Sequence, residues 1–205
     1  MDLNYRTNLL FPIAVHQFDV NEFSEIKDKL IDYAYNLKEK EPKGASISNR
    51  GGWQSLGFEV YNRNDKLHDF LLNCLDGFPY IRYAVKFGIY AWVNINKPGN
   101  YNVKHAHATN DLSGVLWIKS PKGSGNILFD SPHEFQSYKE VESYSDDFKK
   151  SSNIDHSYYF TPTDGRILVF PSYLIHEVEE NKSTEDRISV SFNIRLHNYT
   201  DENRI

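Results

Sequence analysis

His105 and His107 stand one residue apart in the stretch KHAHATNDLSGVLWIK (104–119), just ahead of an apolar run. In extended chain, residues i and i+2 face the same side. Both imidazoles would then project into one space, where their neutral nitrogens suit a divalent transition metal. Three later features can complete such a centre. His176 opens a strand after GRILVFPSYLI (165–175), Arg187 and Ser189 share a strand face in RISVSFNIRL (187–196), and Asn94 lies in YAWVNINKPGN (90–100), on a strand that runs into the turn before His105. A lone strand histidine is more often structural than functional, and Arg-x-Ser recurs by chance. The order is what is specific: a spaced pair, a single histidine 69 residues on, then Arg-x-Ser eleven residues after that.

The elements that must carry these residues are legible in outline. Residues 9–18 (LLFPIAVHQF) read as a first strand, with Pro12 suggesting an edge position. A helix follows, capped by Asp19 or Asn21, with Phe23, Ile26, Leu30, Tyr33 or Ala34, and Leu37 at helical spacing. Residues 44–57 (GASISNRGGWQSLG) read as a long loop in which Trp53 is a packing anchor. A second helix is expected from about Lys66 to Leu75, with Cys74 on its apolar stripe. From Tyr80 onward the texture changes to short β-rich runs divided by Gly, Pro, Asn, Asp and Ser, interrupted by a polar excursion at 134–155. The spacing predicts a mainly β fold with N-terminal helices: a jelly roll, or double-stranded β-helix, of two antiparallel sheets. One domain spans 1–205, with a helical part at about 1–79 packed on a β-roll core at about 80–198.

Bulk composition narrows the function classes. A formal net charge of −5, with no basic tract interleaved with exposed aromatics, argues against nucleic acid as a partner. The single cysteine excludes an intrachain disulfide and a thiolate zinc cluster. No apolar run reaches bilayer length and nothing at the start reads as a signal peptide, so the expected setting is cytoplasmic, without membrane association. The chain's own residues leave the substrate, small molecule or peptide, and the oligomeric state open.

Taken together, Trp92 to Asn94, His105 to His107, LSGVLWI, Gly125 to Phe129, FPSYLIH and RISVSFN give the chain its family likeness. It resembles the 2-oxoglutarate- and Fe(II)-dependent oxygenase superfamily, of the bacterial and phage type related to prolyl 4-hydroxylases. The resemblance covers most of the chain and is strongest from about Tyr90 to Asn193. It implies Fe(II), 2-oxoglutarate and O2 as cofactors, and hydroxylation of a C–H bond with release of succinate and CO2. His105 and His107 would stand where the superfamily has its H-x-D/E pair, and His176 where it has the distal histidine. Arg187 and Ser189 would grip the distal carboxylate of 2-oxoglutarate, a role suited to a permanently charged fork beside a hydroxyl. Asn94 would hydrogen-bond the cosubstrate near the metal. Tyr90, Trp92 and Trp117 would line the barrel, and Asn193 would extend the Arg187 face.

One departure matters: the second member of the pair is His107, where the superfamily has a carboxylate. Three histidines then form the ligand set, or Asp111 curls back as the carboxylate, or two histidines bind with water or substrate completing the shell. The first is preferred, because Asp111 lies four residues on, beside a turn, and needs a bend to reach. Two other readings stand beside the oxygenase. A cupin-type three-histidine metal enzyme without 2-oxoglutarate would need no carboxylate clamp at Arg187. A non-catalytic ligand-binding β-roll would show no effect of metal on 2-oxoglutarate affinity.

Overall fold

The computed structural model describes residues 6–60, 70, 86–133 and 138–197. Twelve strands are described: β1 (His16–Asp19), β2 (Asn49–Arg50), β3 (Trp53–Gln54), β4 (Phe58–Glu59), β5 (Lys86–Asn96), β6 (Tyr101–His105), β7 (Leu112–Lys119), β8 (Ile127–Asp130), β9 (Ser157–Phe160), β10 (Arg166–Pro171), β11 (His176–Val178) and β12 (Arg187–His197). The helices are α1 (Ser24–Lys40), α2 (Tyr138–Ser143) and α3 (Asp146–Ser152). One sheet has the order β1-β10-β7-β12-β5-β3, with β4 also on β5; the other runs β2-β6-β11-β8-β9. Every pairing is antiparallel. From β5 to β12 the chain passes back and forth between the sheets, the wrap of a jelly roll, and the expected fold class is the one observed.

Period-2 alternation explains why the larger sheet is covered on both faces. On β5 and β12, Ile89, Ala91, Val93, Ile95, Ile188, Val190, Phe192 and Ile194 point outward from the roll and are buried under α1. Helix α1 answers with Leu30, Ala34 and Leu37, at the i, i+4, i+7 spacing of one helical face. Gly114 on β7 leaves room for the Phe192 ring, since a Cβ there would lie 2.3 Å from its tip. The alternate residues face the second sheet. At one end Trp117, Leu168 and Phe170 form an apolar cluster with Phe129 of the smaller sheet. At the other end the alternate residues are polar.

Several elements differ from expectation. The first strand starts at His16 rather than residue 9, although it does occupy a sheet edge. Neither Asp19 nor Asn21 caps α1: Phe23 holds that position with no side-chain cap, and Asp19 instead accepts from Arg166 Nε at 2.7 Å. The segment 44–57 is not only loop, because β2 joins the smaller sheet and β3 the larger. Trp53 is the anchor expected there, buried, with its indole N–H donating to Glu41 O at 2.9 Å. The second helix, with Cys74, falls outside the described residues apart from Phe70, whose ring meets that of Phe23. Among the described residues, no helix is long and apolar enough to cross a membrane.

Candidate metal centre

His105 ends β6 directly opposite His176, which opens β11. Three residues back along β6 and only two forward along β11 the next pair is met: Asn102 faces Val178, so β6 carries one extra residue, a β-bulge at Val103–Lys104. The bulge turns both Asn102 and His105 into the space between the sheets, which strict alternation would forbid. His107 lies two residues beyond the strand and is placed differently. Its backbone N–H donates to Ser172 O at 2.9 Å, and its ring stands 5.8 Å from that of Trp92.

The three rings converge, and their ligand nitrogens all lie within 4.8 Å of one another. His105 Nδ1 is 2.7 Å from Val103 O, and His176 Nδ1 is 2.9 Å from Leu174 O. A carbonyl can only accept, so Nδ1 carries the proton in both rings and the Nε2 lone pairs are free; such outer hydrogen bonds orient metal-binding histidines. Burial pushes all three imidazoles below the usual histidine range, His107 to about 4 and His176 to about 3; the neighbouring rings add to the effect at His107 and His176, while the Val103 and Leu174 carbonyls oppose it at His105 and His176. At neutral pH the cluster therefore offers three uncharged nitrogen donors, a set that fits a divalent transition metal.

The same chamber holds a buried cation. Arg187 is only 2% exposed, yet among the described residues no carboxylate forms an ion pair with it. Its Nη1 donates to Ser124 O and, at 3.2 Å, to Glu179 O. Burial lowers its pKa to about 10, partly countered by the charge of Glu179, so it remains protonated at neutral pH. Ser189 is buried on the same strand face and pairs across the sheet with Asn94. Asn94 Nδ2 donates to Ser191 Oγ at 3.0 Å. Arg187, Ser189, Asn94, Trp92 and Trp117 all line the chamber with the three histidines.

The other candidates are placed elsewhere. Asp111 stands outside the cluster: its carboxylate accepts from the Leu196 N–H at 2.7 Å, beside β12. Asn193 is buried but accepts from Ser113 Oγ at 2.8 Å, while Ser113 and Ser172 hydroxyls pair at 2.7 Å. That trio braces the segment whose carbonyl holds His107. Tyr90 does not line the chamber; it is 48% exposed, with its ring over Gly57, where a Cβ would meet it at 2.2 Å. His16, His133 and His156 are not in the cluster, and the side chains of His68 and His197 lie outside the described residues.

Four polar lining residues were not among the expected ones: Ser48, Asn96, Asn102 and Ser191. Strand parity from Asn94 and Ser189 was sufficient to find Asn96 and Ser191. Asn102 was hidden by the bulge, and Ser48 by its place in a loop.

A family model described as "Putative 2OG-Fe(II) oxygenase" matches residues 90–193, half of the chain. The fold is similar to that of a Pseudomonas putida prolyl-4-hydroxylase, with a TM-score of 0.62 at 14% identity over 89% of this chain and 93% of that one. It is also similar to the non-heme alpha-ketoglutarate-dependent carbocyclase SnoK from nogalamycin biosynthesis (TM-score 0.61, 12% identity, 90% and 80% coverage). A third likeness is to a Trichoplax adhaerens prolyl hydroxylase in complex with a hypoxia-inducible-factor peptide (TM-score 0.58, 12% identity, 88% and 83% coverage). At these identities the structural likenesses show the shared fold. No curated protein sequence matches the chain. The matched segment runs from the strand that carries Trp92 to the one that carries Arg187, and the chain belongs to the family of 2-oxoglutarate- and Fe(II)-dependent oxygenases.

Proposed function

We propose that His105, His107 and His176 hold Fe(II), that Arg187 and Ser189 hold the distal carboxylate of 2-oxoglutarate, and that the protein hydroxylates a C–H bond of a small-molecule or peptide substrate with release of succinate and CO2. The observation that carries this reading is Arg187: a cation 2% exposed, without a carboxylate partner among the described residues, in the same chamber as three neutral imidazoles. Burying an unpaired charge is costly, and a dianionic ligand reaching from the metal to the guanidinium offsets that cost. A three-histidine enzyme that uses no dicarboxylate gives the arginine no comparable partner, and neither does an inert β-roll.

When bound, Fe(II) with 2-oxoglutarate and O2 supplies the oxidising chemistry. The chain supplies position and charge. The Nδ1–H groups of His105 and His176 donate to the Val103 and Leu174 carbonyls, leaving Nε2 for the metal. Because none of the three rings brings a negative charge, the charge of a bound metal would be offset by the dianion alone, whose distal carboxylate Arg187 would hold. Asn94, tethered to Ser191, can donate to the cosubstrate. Exposure along β5 rises from Asn96 (3%) and Asn94 (6%) to Tyr90 (48%), so the substrate approaches from the Tyr90 end. With Cys74 the only cysteine, the reading places the protein in the cytoplasm.

The test is anaerobic titration of the Fe(II)-loaded protein with 2-oxoglutarate, followed by the weak visible absorption of the chelated cosubstrate. A saturating band that disappears in His176→Ala along with the bound iron is expected. Iron bound without any band would transfer the case to the three-histidine alternative.

A further inference from the structure

Among the described residues the guanidinium of Arg187 is anchored by backbone alone, and the anchor depends on a residue without a side chain. Ser124 O and Glu179 O converge on its Nη1 from two segments of the smaller sheet's rim. Between them lies Gly125, at φ +88°, where a Cβ would stand 2.5 Å from Glu179 O and 2.8 Å from Glu180 O. Any other residue would be strained in that left-handed conformation and would push the two segments apart. Reciprocal bonds strap the contact: the Glu179 N–H donates to Asn126 O at 2.9 Å, and the Asn126 N–H donates to the Glu179 carboxylate at 2.9 Å.

We propose that Gly125 and Glu179 are positioning residues for Arg187, and that by committing one guanidinium nitrogen to two carbonyls they set the chain length of the dicarboxylate the chamber accepts. This rests on the reading of Arg187 as the carboxylate clamp. An arginine free on its stem would follow a shorter or longer acid at little cost. One whose Nη1 is held on both sides presents its remaining donors at a fixed distance from the histidines, a preorganised contact. The Ser124 hydroxyl is buried with no hydrogen-bond partner among the described residues, so the anchor uses that residue's carbonyl only.

The test titrates the Fe(II)-loaded protein anaerobically with oxaloacetate, 2-oxoglutarate and 2-oxoadipate, and follows exchange of the Arg187 Nε–H by NMR. The wild type should prefer the five-carbon acid by about tenfold or more, a difference of about 1.4 kcal/mol. Gly125→Ala should erase most of that preference and speed Nε–H exchange while iron content is kept. Glu179→Ala should do the same more weakly, and Ser124→Ala should leave the preference intact. A Gly125→Ala protein that keeps the wild-type length preference overturns the proposal, as does a wild type with none. If Gly125→Ala does not fold, an unchanged preference in Glu179→Ala overturns it. If the wild type takes up none of the three acids, the oxygenase reading fails first. The exchange rate then decides on Gly125: equal exchange in wild type and variant overturns its role, and faster exchange in the variant upholds it as the residue that positions Arg187.

Discussion

The two faces of the larger sheet are buried by different means. Toward α1, β5 and β12 present Ile89, Val93, Ile95, Ile188, Val190, Phe192 and Ile194, each 2% exposed or less. Toward the chamber the same strands present Trp92, Asn94, Asn96, Arg187, Ser189 and Ser191. The first face is stabilised by removing apolar area from water, about 25 cal/mol per Å², and has no side-chain polar groups to satisfy. On the second, every amide, hydroxyl and charge must find a partner or carry a desolvation cost. Some find one within the protein, as Asn94 does in Ser191 and Asn102 does in Ser48. Among the described residues, Arg187 finds only carbonyls. One sheet thus separates a side that holds the fold together from a side prepared for ligands, and variants on the two sides should fail in different ways.

The largest loss of stability is expected from Phe192→Ala. Truncating a fully buried aromatic costs about 3–5 kcal/mol, measurable by urea denaturation, while the molecules that remain folded bind iron as before. Iron lost from folded molecules would show that the two faces are not separable. Next comes Arg187→Ala, on the chamber side of the same strand. Its loss should appear in ligand binding: charge-assisted hydrogen bonds worth about 1.5–3 kcal/mol correspond to 2-oxoglutarate affinity about 10- to 150-fold weaker, with metal content retained. If its metal-free form were instead as destabilised as Phe192→Ala, Arg187 would belong to the structural side.

Ser113→Ala sharpens the border between the two. It removes the hydroxyl shared by Ser172 and Asn193 and leaves buried polar atoms unpaired, at about 1–3 kcal/mol. Because Ser172 O holds the His107 N–H, metal affinity should fall together with thermal stability. A purely thermal effect would detach the trio from the centre. The smallest effect is expected from Asp111→Ala, which removes one acceptor from the Leu196 N–H, worth about 1 kcal/mol. Iron should stay, as read by elemental analysis; its loss would place that carboxylate among the metal's ligands.

How much of this was legible beforehand varies with how local the cause is. The alternation in YAWVNIN and RISVSFN is a property of consecutive residues, so these two strands and the shared face of Arg187 and Ser189 could be read directly. The bulge at Val103–Lys104 could not, because it exists only in the mismatch between β6 and β11. It makes Asn102 and His105, three apart, face the same way. His107 was expected in the chamber on the ground that a strand aims alternate residues alike. It does join His105, but from beyond the strand's end, held by a carbonyl 65 positions later in the chain. The short strands β2 to β4 were missed because two-residue strands have no period to detect. The first strand's early start was overestimated because an apolar run is not a pairing partner.

What the amino-acid order determined alone is therefore the set of groups and the faces of the longer strands: that those strands exist, which of their side chains alternate to one side, and the succession of His-x-His, His and Arg-x-Ser. Alternation has a period of two and acts over neighbours, so no fold is needed to see it. What only the tertiary structure decided is which of these groups meet. That Asp111 turns to Leu196 rather than to the histidines, that Asn193 braces Ser113 rather than lining the chamber, and that Arg187 rests on the carbonyls of Ser124 and Glu179 all depend on pairings between distant segments. Each distant polar group must find its complement where the sheets close, and that closure is a property of the whole roll.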